Sequence, residues 1–243
     1  MLVVPPLAGL RLAHNLGTLT WATATLIGTW LLGYFAFNAA TGWLKARPAR
    51  RARWQPALFT YTAATAAFGF TTLALAGWTV LAWLVAFVPL CLLALAATAR
   101  RRERSLASGL ATVAAACLML PVVAAPSPLV LFGSPLLPLT AGLTAAMFGY
   151  FGGTVVHVKS LIRGRGQRRW ALASLLWHVI AMVVAGLLGA MTGWGWPIVF
   201  AIALARAVVL LRLNEDRRLP PLTIGLVEIG LSLLLLALAL LTS

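Results

Sequence analysis

Two short segments carry polar side chains at spacings that suit the binding of an anion. In one, His157 is followed by Lys159 and Arg163. The two cations are four positions apart, so they share a helix face and are placed to clamp one anion. In the other, Asn38 and Lys45 lie two helical turns apart on one face. We expect the two segments to contribute to one anion-binding cavity. The alternative is that the cations only snorkel to a membrane interface and fix the topology.

Single polar residues inside apolar runs form a second set of candidates, because polar groups at membrane depth are costly. Glu228 is expected about 10 Å inside the last apolar run, and Arg206 lies at a similar depth in the run before it. One interpretation is a structural ion pair between two helices; the other is a role in ligand binding or proton coupling. His178 is expected to reach the same cavity as His157, although a buried histidine bonded to a neighbour is the commoner arrangement.

Sequence motifs of known catalytic chemistry are absent. There is no Ser-His-Asp order, HExxH, Walker loop or dinucleotide fingerprint. Both cysteines lie in apolar runs without metal-ligand spacing. The acidic residues of the whole chain are only Glu103, Glu215, Asp216 and Glu228. The chain therefore offers few carboxylates for general acid–base catalysis by a carboxylate pair. We predict no metal site and no cofactor, and the sequence names no catalytic residue and leaves open whether the protein is an enzyme.

The composition decides which elements must position these side chains. The 243 residues are 62% hydrophobic and 9% charged, whereas an ordinary soluble domain has about 25% charged residues. The apolar runs are continuous rather than alternating, which excludes a membrane β-barrel. The chain is therefore expected to be all-α, a polytopic bundle of transmembrane helices that forms a single domain over residues 1–243.

The charge-free runs give the number of crossings. Each full helix needs about 20 apolar residues, so the long runs hold two helices each, with turns near Gly77 and Gly193. We predict eight full crossings and an N-terminal half helix, about nine helices in all. The expected helices are 1–10, 16–44, 56–77, 78–99, 106–125, 134–158, 171–192, 196–212 and 221–242.

The basic residues give the orientation. The net charge is +15, and every Lys and Arg except Arg11 falls in four clusters, at 45–53, 100–104, 159–169 and 206–218. These clusters lie on one side of the predicted bundle, which the positive-inside rule places in the cytoplasm, with the C-terminus outside. Strong basicity also occurs in nucleic-acid-binding proteins, but no polar basic domain is present to bind nucleic acid.

Several segments resemble the YwiC-like family of bacterial membrane proteins. They are Gly153–Gly166, with its Val-Lys-x-x-Ile-Arg stretch, Ala173–His178 and Leu219–Glu228. The resemblance implies a protein of the bacterial inner membrane and no particular activity. Members of that family usually begin with a His-Gly-Ala-Trp stretch before the first apolar run. This chain starts just after that point, so either the true start lies upstream of Met1 or this member has lost the segment.

The expected architecture is also similar to that of the UbiA family of intramembrane prenyltransferases. The segments 38–47 and 157–163 occupy the places where that family carries Asp-rich motifs, which hold magnesium and a prenyl diphosphate. Here both segments lack Asp and Glu, so magnesium would lack its oxygen ligands. Basic residues can still bind a phosphate directly, without a metal.

Three functions are therefore open. The first is binding, with or without turnover, of an amphiphile with an anionic head, such as a lipid or an isoprenoid phosphate, in a basic cavity that faces the cytoplasm. The second is transport of a small solute or anion past Arg206, Glu228 and His178. The third is a membrane scaffold or partner subunit. Membrane lipids are the expected partners, and the oligomeric state is left open.

Overall fold

The structure is a computed structural model that describes residues 1–102, 105–216 and 219–242, with the backbone alone at 215 and 216. Glu103, Arg104, Arg217 and Arg218, which belong to the predicted charge clusters, lie outside this range. No strand occurs in the described part of the chain. The helices are α1 Val4–Asn15, α2 Trp21–Lys45, α3 Gln55–Ala76, α4 Leu84–Ala99, α5 Leu106–Ala124, α6 Pro128–Phe132, α7 Leu137–Ile162, α8 Arg168–Thr192, α9 Gly195–Asp216 and α10 Pro221–Thr242, with 3-10 helices at Pro48–Arg53 and Trp78–Trp83.

Seven of the helical segments in the described residues are long and apolar enough to cross a membrane. They are α3, α5, α7, α8, α9, α10 and the segment Trp78–Ala99, which combines a 3-10 helix with α4. The prediction of an all-helical, multi-pass membrane protein is confirmed at this level. Helix α2 has 25 residues but is not among these seven. The eighth full crossing therefore stays a prediction.

Glycines end two of the helices where the sequence predicts turns. Gly77 follows α3 with φ +80° and Gly193 follows α8 with φ +102°, a left-handed conformation that glycine adopts without a steric penalty. The first boundary differs from the prediction. Helix α1 continues to Asn15 and α2 begins only at Trp21, so His14 lies in the last turn of the short helix.

Helices α5 and α7 form the centre of the bundle. Inside the protein lie 61% of the apolar window of α5 and 50% of that of α7. Helix α1 packs on α5 and α10, α7 packs on α5 and α8, and α8 packs on α9. The largest cluster of buried side chains lies between these helices, around Leu12, Leu120, Met147 and Trp196.

Helices α2 and α3 form a tightly packed hairpin at the side of this bundle. Small residues allow the close approach: a Cβ on Gly28 would lie 2.5 Å from the Phe68 ring, and one on Gly42 would lie 2.5 Å from the Trp54 ring. The hairpin joins the rest of the molecule through smaller contacts of α2 with α4 and α5. Only 6% of the apolar window of α3, and 6% of that of Trp78–Ala99, is buried, so this side of the molecule leaves most of its apolar surface for another apolar phase.

Candidate functional site

A basic pocket of about 1090 Å³ lies where α2 passes into α3. Its cationic lining residues are Lys45, Arg47, Arg50 and Arg53, and no acidic side chain is among the residues that line it. The 3-10 helix Pro48–Arg53 connects α2 to α3, and the pocket collects cations from the end of α2 and from this connection. The pocket therefore has the electrostatics of an anion-binding site.

The polar and aromatic side chains of this pocket lie on α2 and at the residue that precedes α3. Asn38 and Thr41 from α2 and Trp54 before α3 line it together with the cations. The Asn38 amide donates to the Tyr34 carbonyl at 2.8 Å, and the Thr41 hydroxyl donates to the Asn38 carbonyl at 2.9 Å. These two donors are held by their own helix, so the cations are the groups best placed to bind an anion.

An apolar cavity of about 640 Å³ lies between α2, α3, α4 and α5. Aromatic side chains form much of its wall: Trp30, Tyr34, Phe37, Phe70, Trp83 and Phe87. Its few polar lining residues include Thr29, Thr65 and Thr72, whose hydroxyls each donate to the carbonyl four residues earlier in the same helix. No charged side chain lines the cavity, so it suits a hydrocarbon chain.

The two cavities follow one another along α2. The apolar cavity uses the stripe from Leu26 to Phe37, and the basic pocket begins one residue later at Asn38 and extends to Lys45. Rows of residues four apart on α2, such as Tyr34 and Asn38 or Phe37 and Thr41, pass from one lining to the other. Helix α3 lines both cavities as well. The two cavities have no lining residue in common, and we refer to the two consecutive cavities together as the elongated groove.

A separate polar network lies between α7, α8, α9 and α10, and Arg206 is at its centre. Nη1 of Arg206 donates to Oε1 of Glu228, and Nη2 lies 2.9 Å from Nε2 of His178. Nδ1 of His178 lies 2.7 Å from the Ser174 carbonyl, which can only accept. Nδ1 therefore carries the proton of a neutral His178, and Nε2 accepts from Arg206. Arg206 and Glu228 are both buried, and their ion pair corresponds to one of the two arrangements that the sequence suggests.

The network continues on both sides of that ion pair. Oε2 of Glu228 accepts from the Thr154 hydroxyl at 2.9 Å. On the other side, the carbonyl of Ser174 bonds to Nδ1 of His178. The hydroxyl of Ser174 lies 3.0 Å from Nδ1 of His157. His157 is fully buried, and its Nε2 has no hydrogen-bond partner among the described residues. The network thus connects four helices inside the bundle.

Glycines on α7 allow α8 to approach this network closely. A Cβ on Gly152 would lie 2.6 Å from the Trp177 ring, and one on Gly153 would lie 3.3 Å from the His178 ring. The Trp177 indole donates to the Gly149 carbonyl at 2.8 Å. Hydrogen bonding and close packing therefore fix the same pair of helices.

The structure divides the six predicted ligand-binding residues among three places. Asn38 and Lys45 line the basic pocket. His157 and His178 belong to the buried network. The remaining two, Lys159 and Arg163, lie at the end of α7, where Nζ of Lys159 is 4.2 Å from the centre of the Trp170 ring and Arg163 is exposed. None of these last four residues lines the basic pocket.

The pocket also contains cations that the sequence reasoning did not single out. In the sequence, Arg50 and Arg53 indicate only the topology, although their position in a short connection between two long helices suggests that their side chains lie near those of the preceding helix end. Thr154 and Ser174 gave no signal, because only the rotation of the helices decides which hydroxyls point inward. In the described part of the chain, no three His, Cys, Asp or Glu side chains are grouped so that they could hold a metal ion.

Comparison with known proteins gives one match, to the family model described as YwiC-like protein, over residues 1–124. This range is just over half of the 243 residues. The chain belongs to the YwiC-like family. No curated protein and no solved structure gives a significant match. The likeness of this YwiC-like chain to UbiA prenyltransferases stays a prediction.

The matched range covers a different part of the chain from the segments that carry the resemblance in the sequence. Those segments begin at Gly153, whereas the match ends at Ala124, the last residue of α5. Every residue that lines the apolar cavity or the basic pocket falls within the match. In this YwiC-like protein the elongated groove is therefore built entirely by the part of the chain that matches the family model, and the buried network lies outside that part.

Proposed function

We propose that this protein binds an amphiphile with an anionic head group, with the head in the basic pocket and the tail in the apolar cavity. The observation that carries the proposal is the succession of the two cavities along α2, where Phe37 is the last residue to line one and Asn38 the first to line the other. An apolar chain placed against α2 would therefore carry its head directly to the cations.

The charge of the pocket favours a head group with more than one negative charge. Lys45, Arg47, Arg50 and Arg53 line the pocket without an acidic neighbour in the lining. A phosphate monoester carries a charge of about −1.5 to −2 near neutral pH, and Arg binds phosphate oxygens through two parallel hydrogen bonds. A phosphate or diphosphate head suits these residues better than a carboxylate or a phosphodiester. With the basic clusters in the cytoplasm, the head would enter from that side.

The membrane can supply such a ligand laterally. Helix α3 packs on α2, and α4 packs on α5, while the apolar windows of α3 and of Trp78–Ala99 are largely exposed. An amphiphile lying in the bilayer could therefore reach the cavity between α3 and α4 while its head stays at the membrane surface. No polar head would have to cross hydrocarbon.

Native mass spectrometry in a neutral detergent tests the proposal with dodecyl phosphate as the probe. Dodecanol tests the tail alone, inorganic phosphate tests the head alone, and dodecyl sulfate tests a single negative charge. We expect dodecyl phosphate to bind most strongly. In Lys45→Ala/Arg50→Ala/Arg53→Ala its affinity is expected to fall by at least about tenfold, since hydrogen bonds to charged groups contribute roughly 1.5–3 kcal/mol each.

A matched control removes the same charge at another basic connection. Arg100→Ala/Arg101→Ala/Arg102→Ala loses three cations, none of which lines the pocket, and is expected to bind as the wild type does. Lys159→Ala/Arg163→Ala tests the residues first predicted from the sequence. An equal loss in all three variants would mean that general surface charge, and not the pocket, attracts the ligand. Undiminished binding by the pocket variant would exclude the proposed site.

A further inference from the structure

The apolar cavity has a defined length measured from the head-group end. It runs along α2 from Phe37 beside the basic pocket to Leu26, which is about 16 Å at the rise of an α-helix. The antiparallel partner α3 follows the same course, since Thr65 lines the cavity near Gly33 and Leu73 lies toward its far end. A ligand tail that enters beside Phe37 therefore extends toward the level of Leu26.

Two tryptophans that line the cavity near this far end are anchored by hydrogen bonds to other elements. The Trp30 indole donates to the Leu2 carbonyl at 3.0 Å, and the Trp83 indole donates to the Ala125 carbonyl at 3.2 Å. Trp30 also meets the Phe87 ring edge-on, with the ring centres 6.1 Å apart. These bonds tie both rings to the backbone before α1 and after α5. The rings cannot rotate away without breaking a hydrogen bond in an apolar environment.

Buried aliphatic side chains support the same end of the cavity. Leu26, Met119 and Val122 are each less than one-tenth exposed and pack together with Trp30 and Trp83. Close-packed interiors leave no room for additional methylene groups. The far end of the cavity is therefore a rigid boundary, unlike its sides, where α3 and α4 are mostly exposed.

We infer that Trp83 and Trp30 are specificity-determining residues, which set the maximum length of the ligand tail by closing the far end of the apolar cavity. This inference rests on the proposed function. It predicts a protein that selects its amphiphile twice, by the charge of the head at Lys45–Arg53 and by the length of the tail at Trp83. Chains shorter than the cavity make fewer contacts with its wall and bind more weakly. Longer chains meet the indoles and must bend out toward the membrane.

The glycines that line the cavity allow the opposite change. A Cβ on Gly69 would make only an ordinary contact, 3.7 Å from a methyl group of Thr29, so a larger side chain there can extend into the cavity without displacing backbone. Gly69→Leu should shorten the cavity, and Trp83→Ala should lengthen it. Trp78→Ala is the matched control, because Trp78 lies in the same 3-10 helix but is 76% exposed and does not line the cavity.

The experiment measures the affinity of a homologous series of n-alkyl phosphates, from octyl to icosyl, for wild type and the three variants. We expect the preferred length to become longer in Trp83→Ala, shorter in Gly69→Leu and unchanged in Trp78→Ala. A tail longer than the cavity should bind more weakly than one that fits it, because its excess methylene groups lose their contacts with the cavity wall. Met119→Ala, at the same end, is the second lengthening variant if Trp83→Ala does not fold.

The pattern of failure separates the two proposals. If no alkyl phosphate binds the wild type, or if binding ignores the basic residues, the proposed function fails. If alkyl phosphates bind through the basic pocket but every variant prefers the same tail length, the proposed function stands and the length-limiting role of Trp83 is overturned. A weakening that is equal at all lengths also overturns it, because it would reflect a purely structural effect.

Discussion

Helices α7–α10 enclose a charged pair, whereas helices α2–α5 enclose a cavity whose neighbouring charges all lie outside it, at one end. In the first region the carboxylate of Glu228, the guanidinium of Arg206 and the ring of His178 bond to one another. In the second, the cations line an open pocket, and the hydroxyls in the cavity donate to carbonyls of their own helices.

The difference indicates which of the two regions is the better candidate for binding a ligand. Polar groups at membrane depth are usually candidates for function, but those of α7–α10 already satisfy one another, apart from one nitrogen of His157. The region of α2–α5 instead has a cavity without a charged lining residue and, beside it, a pocket lined by cations, whose charge suits an anion. We therefore interpret the buried network as the element that holds α10 in place and the groove beside α2 as the binding site.

The largest expected effect comes from removing one partner of the buried ion pair. Arg206→Met leaves Glu228 without its cation and His178 without its donor, and loss of one partner in a buried pair typically costs 3–5 kcal/mol. We expect about that loss in the free energy of unfolding, measured by denaturation in mixed micelles. Binding of dodecyl phosphate by the folded fraction should not change, because the groove does not include Arg206.

A second variant distinguishes a lost interaction from an unpaired charge. Arg206→Met/Glu228→Leu removes both charges and should recover most of the stability, since apolar replacement of a buried pair is often neutral. If the double variant is as unstable as the single one, the loss of stability does not come from an unpaired charge. The interactions of the pair itself would then stabilise the folded protein. If Arg206→Met abolishes ligand binding in the folded protein, the two regions are coupled and their separation into structural and binding regions is wrong.

A smaller effect is expected from close packing between α7 and α8. In Gly152→Ala the new methyl group would lie 2.6 Å from the Trp177 ring, so the indole must shift and strain its bond to Gly149. Overpacking of this kind typically costs 1–3 kcal/mol, and thermal unfolding in detergent measures it. Gly186→Ala, in α8 with open space around its Cβ, is the matched control and should be neutral or slightly stabilising. Equal stability of both variants would show that α7 and α8 separate readily.

The sequence predicts the helices and the ion pair because both follow from position along the chain. Charged residues interrupt apolar runs at regular intervals, so the runs give the helices, and glycine marks two of the turns. The depth of Glu228 and that of Arg206 follow from counting residues, and two opposite charges at equal depth in consecutive helices have few other partners. Residue types and residue counts are therefore enough to predict these two features.

The arrangement of the helices could not be predicted in the same way. Asn38–Lys45 and His157–Arg163 look equivalent in the sequence, since each is a polar stripe at the basic end of a helix. Which stripes face one cavity depends on which helices are neighbours, and apolar helices of similar length carry little information about their neighbours. The cavity itself arises from residues that do not fill space, such as Gly33 and Gly69, and the sequence does not show which glycines line a cavity and which contact another helix.

The smallest expected effect concerns a hydroxyl in the cavity. Thr72 donates to Phe68 in its own helix and lies 3.0 Å from the Thr25 hydroxyl of α2. Hydrogen bonds between membrane helices average about 0.6 kcal/mol, so Thr72→Val, which keeps the side-chain shape, should lower the free energy of unfolding by less than about 1 kcal/mol. Dodecyl phosphate should bind as tightly or slightly more tightly, because the cavity becomes more apolar. A loss as large as that of Arg206→Met would instead mean that the α2–α3 hairpin, like α7–α10, depends on internal polar contacts. In that case internal polar contacts would stabilise both regions, and the comparison between a structural network and a binding cavity would fail.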